Sequence, residues 1–119
     1  MPAEDMDRVF QALAHESRRH MLDIVHQNPG IGVGALASRF EVSRIAVMKH
    51  LRVLQEAGLL NSEKDGRTRR LYFNPVPIQM IHERWTTQYS AYWSGRVTDL
   101  KRRAEQRAAH ENASREDDR

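Results

Sequence analysis

The run VSRIAVMKHLRVLQEAGLL, Val42 to Leu60, constrains the chain more than any other stretch. Wound into a helix from Ser43, it stacks Val47, Leu51 and Leu54 at i, i+4 and i+7, the stripe of a helix lying on a core. Ser43 supplies a hydroxyl for the orphan amides at the start. Ala57-Gly58 ends the helix with a residue free to turn left-handed. Ile45, Met48, Lys49 and Arg52 collect on the opposite side. A face that mixes large apolar and cationic side chains needs a partner able to accept both.

The flanking segments define the frame around this helix. Met6, Val9, Phe10 and Leu13 repeat at helical spacing and predict a short helix over Asp5–Ala14. A second helix is expected from near His15 to Gln27, burying Met21, Leu22 and Val25, and Asn28-Pro29-Gly30 stops it. Val33, Leu36 and Phe40 predict a third helix of two turns, followed by the tight turn Glu41-Val42-Ser43. In LLNSEKDGRTRRLYFNP the period changes, and Asp65-Gly66 marks a β-hairpin with Leu71 and Phe73 facing in and Arg70 and Tyr72 facing out. After Pro75 and Pro77 one long last helix is expected, with Ile78, Ile81, Trp85, Tyr89, Tyr92, Val97 and Leu100 along a broad side. From about Glu105 the chain is rich in Ala, Glu, Asp and Arg without apolar periodicity, and a frayed or disordered tail is expected. The expected organisation is therefore one domain over residues 1–104 and a charged tail over 105–119. The fold class is mainly α with a small β-hairpin, a winged helix-turn-helix.

Charge distribution names the partner such a frame would serve. The whole chain carries a formal net charge of +3. Ser43 to Phe73 alone holds seven Lys or Arg against three acids, a local excess larger than the total. A basic footprint gathered in one region points to a polyanion. In a helix-turn-helix the second helix enters the DNA major groove, with its N-terminal residues at the base edges. Ser43 and Arg44 open that helix, Lys49 and Arg52 can bond guanine or phosphate, and Ile45 and Met48 can pack on thymine methyl groups. Lys64, Arg67, Arg69 and Arg70 surround the hairpin and suit phosphates or the minor groove. Double-stranded DNA is the expected partner. The sequence holds no Gly-rich phosphate loop and no nucleophile with a base beside it, so an enzyme and a bound cofactor are not expected. No cysteine is present, which excludes disulfides and thiolate metal sites. No apolar run approaches a membrane span and the start, MPAEDMDRVF, is acidic and amphipathic, so a cytoplasmic protein is expected.

The words ALAHESRRHMLDIV, VSRIAVMKHLRVLQEAGLL and EKDGRTRRLYFNP resemble the ArsR-type winged-helix repressors of bacteria. ERWTTQYSAYWSGRVTDLKRRAE is similar to the final helix of a cysteine-free, metal-independent branch of that family. The resemblance spans about residues 6 to 104, and S-x-x-x-V-x-x-H-L-x-x-L-x-x-A-G-L from Ser43 to Leu59 is its most specific part. It implies a homodimer, joined through the first and last helices, that binds a palindromic operator and blocks transcription until a ligand or dilution releases it. Two departures stand out. The second helix opens with His15-Glu16-Ser17-Arg18 where the family pattern has Asp-Pro-Thr-Arg, and Ile45 and Met48 stand where small polar residues are usual.

Metal sensing is the rival reading, since many relatives sense zinc, cadmium or arsenite. The family's thiol-free site needs Asp-x-His, then His and an acid, on the last helix. This chain offers His82 and Glu83 and no further histidine until His110, so no metal site is expected. His50 lies beside the core stripe and reads as a packing residue, and His15, His20 and His26 lack the i, i+4 spacing of a metal pair. Met6, Val9 and Phe10 of the first helix with Ile81, Trp85, Tyr89, Tyr92 and Trp93 of the last are the candidate dimer interface. A pocket for a small apolar effector inside that interface is the sharper reading of the same aromatic stripe. A protein-interaction adaptor without DNA binding is the alternative of a different class.

Overall fold

A computed structural model describes the backbone of residues 1–86 and 90–117, and the side chains of residues 1–86 and 95–110. In chain order the elements are α1 (Ala3–Leu13), α2 (Glu16–Gln27), β1 (Ile31–Gly32), α3 (Val33–Ala37), α4 (Arg44–Glu56), β2 (Leu60–Asp65), β3 (Thr68–Phe73), α5 (Val76–Thr86) and α6 (Ser90–Asp117). The chain forms two units, Met1–His82 and Glu83–Arg119.

In the first unit the helix ends follow local chemistry. Ser43 Oγ accepts from the Ala46 N–H at 3.2 Å and opens α4. Gly58, at φ +78°, lets the chain leave α4, and the Leu59 N–H returns to the Leu54 carbonyl at 3.0 Å. His15 caps α2 in an unusual way, its Nδ1 accepting from the Ser17 N–H at 3.1 Å. The stripe Val47, Leu51 and Leu54 is buried, together with Met21, Leu22 and Val25 of α2 and Leu36 of α3. Gly66, at φ +61°, turns the hairpin, and β2 and β3 pair from Leu60↔Phe73 to Asp65↔Thr68. Leu71 is fully buried and Phe73 packs against the same core.

Three expectations change. The hairpin is part of a three-stranded antiparallel sheet of order β1-β3-β2, because Ile31 pairs with Leu71 and Gly32 with Arg70. Val9 is 1% exposed and sits in the core of its own unit, so it leaves the candidate dimer face. The inward line of α1 is Val9, Ala12 and Leu13, while Phe10 points out and Met6 is half-buried. The expected last helix falls on α5 and α6, and residues 87–89 between them, with Tyr89 among them, lie outside the described residues. The side chains of Tyr92 and Trp93 also lie outside them. Finally, the stretch after Glu105 is helical to Asp117 rather than irregular. Ala104, Ala108 and Ala109 among Arg, Glu and Gln have high intrinsic helix propensity, which operates without an apolar stripe.

Candidate nucleic-acid interface

The α3–turn–α4 unit and the hairpin enclose a groove of about 710 Å³. Arg44, Ile45, Met48, Lys49, Arg52 and Gln55 of α4 form one wall, Ser62 and Arg69 of the hairpin face them, and Val33 and Leu51 close the floor. The geometry follows from two periods. Burial of Val47, Leu51 and Leu54 turns Ile45, Met48, Lys49 and Arg52 outward along one arc of the helix. On the hairpin, residues two apart share a face, so Arg69 projects on the side of Ser62 and Leu71 and reaches the groove. Arg69 Nη1 donates to Ser62 Oγ at 3.3 Å, which steers the guanidinium.

Six of the ten residues expected at the interface therefore line this one groove: Arg44, Ile45, Met48, Lys49, Arg52 and Arg69. Arg67 and Arg70 line an adjoining hollow with Arg44, Thr68 and the start of α3. Lys64 is exposed opposite Arg69 in the strand register. Ser43 is engaged as the cap of α4. Arg70 Nε donates to Asp65 Oδ2 at 2.7 Å and its Nη1 to the Gly30 carbonyl at 3.1 Å. The bond to Asp65 raises the already high pKa of Arg70 and fixes its charge against the hairpin. Gln55 and Ser62 are groove residues that sequence reasoning missed. Gln55 was findable, since it stands three residues after Arg52 on the same face; Ser62 becomes visible only once the strand register is known.

Behind the groove, His50 on α4 meets the corner between α1 and α2. Arg18 of α2 donates from Nε to the Ala12 carbonyl and from Nη2 to the Gln11 carbonyl, each at 2.8 Å. Its Nη1 lies 3.3 Å from His50 Nδ1, which accepts because a guanidinium has no lone pair to offer. The His15 and His50 rings are 4.6 Å apart. Burial, then the neighbouring His15 and Arg18, hold His50 below its ordinary pKa. His50 was expected to pack; it packs and also joins a polar network. Among the described residues, no three His, Asp or Glu gather where they could hold a metal ion. No helix among them is long and apolar enough to cross a membrane.

A short helix, a tight turn, a longer helix with its outer face in a cationic groove and a β-hairpin beside it define a winged helix-turn-helix DNA-binding domain. Residues 13–63 match a helix-turn-helix domain family. Over 93 residues the chain is 36% identical to the HTH-type transcriptional regulator Rv2034 of Mycobacterium tuberculosis, covering 77% of this chain and 81% of that protein. It is 27% identical over 74 residues to the transcriptional repressor SdpR of Bacillus subtilis, covering 62% and 81%. Among solved structures, an ArsR-like transcriptional regulator from Rhodococcus sp. RHA1 aligns with TM-score 0.64 and 32% identity over 86% of this chain and 92% of that one. The chain belongs to the ArsR-type winged helix-turn-helix regulators, a family of transcription regulators rather than of enzymes. It is a DNA-binding transcriptional regulator.

Proposed function

We propose that the protein is a homodimeric repressor that works in the cytoplasm by occupying a palindromic operator. The observation that carries this reading is the groove in which Arg44, Lys49 and Arg52 bracket Ile45 and Met48 while Arg69 faces them. In this reading α4 lies in the major groove and takes the base edges, and the hairpin cations hold phosphates or the minor groove. Exposed apolar side chains on α1 and on the segment after Pro75, Phe10 at 47% and Trp85 at 62%, support pairing with a second copy through those helices. Two copies related by a two-fold axis read two inverted half-sites, which is why a palindrome is expected. Selection of bound duplexes from a random pool, followed by footprinting of the winner in the chain's own promoter region, tests the proposal. A protected palindrome overlapping the promoter is expected; recovery of no sequence above the input pool removes it.

A further inference from the structure

Ile45 is 71% exposed and Met48 is 43% exposed, and both stand in the same groove, with cations around them. Water is a poor neighbour for two such side chains, and a phosphate backbone is no better. Along the major groove of B-DNA the bases offer donors, acceptors and a single apolar feature, the 5-methyl group of thymine. We propose that Ile45 and Met48 make this protein a reader of pyrimidine 5-methyl groups, selecting operators whose half-sites place thymine beside a guanine. The inference rests on the major-groove placement of α4 proposed above.

Spacing supports the pairing. Ile45 and Met48 are three residues apart, a rise of roughly 4.5 Å along a helix, comparable to the ~3.4 Å between successive base pairs. The two side chains can therefore meet methyl groups on neighbouring pairs. Arg52 follows Met48 by four residues and Ile45 by seven, on the same face and in the same groove. A guanidinium there can form its two bonds to guanine O6 and N7 while the apolar pair covers the adjacent pyrimidine. Ile45 is the second residue of α4, close to the end of the helix that approaches base edges most directly.

The test removes one methyl group at a time. The full-length chain is first used to select its preferred duplex, and each thymine of a half-site is then replaced by uracil, which keeps every hydrogen-bonding edge. Binding to at least one such duplex should weaken about fourfold per contacted methyl, the ~0.8 kcal/mol of one buried methylene-sized group. Ile45→Ala and Met48→Ala should bind the thymine duplex more weakly and lose the thymine-to-uracil difference. Both side chains are exposed and alanine favours helix, so the variants keep the fold, which circular dichroism verifies. Replacing cytosine by 5-methylcytosine at a position otherwise occupied by thymine should restore part of the lost affinity. Uracil duplexes that bind as tightly as thymine ones, or a penalty that persists in both alanine variants, overturn the inference while leaving DNA binding intact. Failure to select any duplex instead removes the operator proposal on which it rests.

Discussion

The cations around the groove are placed differently, and that divides the work among residues. Arg70 is tied to Asp65 and to the Gly30 carbonyl, so its guanidinium braces the hairpin. Arg67 stands at the tip beside Gly66 and lines the outer hollow. Arg52 lies in the main groove with Ile45 and Met48. Arg52→Ala should cost on the order of 1–3 kcal/mol on the selected operator and much less on random DNA. Arg67→Ala should weaken both duplexes alike and lower the slope of log affinity against log salt by about one unit. Titrations at several salt concentrations measure both effects. Equal losses on operator and random DNA for Arg52→Ala would mean that α4 does not read sequence.

At the scale of elements, much was legible because periodicity and turn chemistry are local. Val47, Leu51 and Leu54 announced the buried face of α4, Ser43 its cap, and Asp65-Gly66 the hairpin turn. What stayed hidden depends on partners distant in sequence or on forces without a pattern. A strand as short as Ile31–Gly32 has no period of its own, and it exists only because β3 offers Leu71 and Arg70 as partners. The inward turn of Val9 is decided by how α1 meets α2 and α4, which the spacing of Met6, Val9 and Phe10 leaves open. The contact between α2 and α4 carries a pH dependence. His50 is held below the ordinary value of 6.5 by burial, His15 and Arg18, so the folded chain favours the neutral ring. Over the interval between the folded and unfolded pKa values the unfolded chain binds more protons, and stability rises with pH there. The contribution is complete above pH 6.5, is lost as pH falls through the lowered folded value, and changes no further below it. The midpoint of thermal unfolding should drop between pH 7 and 5, and His50→Asn, which cannot titrate, should drop less. Parallel curves for the two chains would exclude His50 as the source.

For the whole molecule the decisive question is what covers the exposed apolar side chains. With Phe10 and Trp85 open to solvent in one copy, a second copy is the proposed cover. Trp85→Ala with Tyr92→Ala should shift sedimentation toward monomer, since large buried rings contribute roughly 3–5 kcal/mol each. A folded double variant that stays dimeric excludes this surface as the dimer contact. Zinc added to chelated protein should leave operator affinity unchanged, and a tenfold shift, about 1.4 kcal/mol of coupling, would establish a metal sensor.

Arg18 has a further consequence once two copies are joined. Its one guanidinium grips the Gln11 and Ala12 carbonyls at the end of α1 and also His50 of α4. Arg19 adds a bond to the next carbonyl, Leu13, at 2.7 Å. The helix proposed to meet the partner and the helix proposed to meet DNA are thereby mounted on one corner. A dimer built this way should act as a fixed-gauge caliper, with the distance between its two jaws set by the protein rather than by the DNA. One extra base pair between half-sites turns the second by about 35° and moves it by about 3.4 Å. Operators lengthened or shortened by one pair should bind as poorly as single half-sites, while Arg18→Ala, by loosening the mount, should narrow that difference even as it weakens the best site.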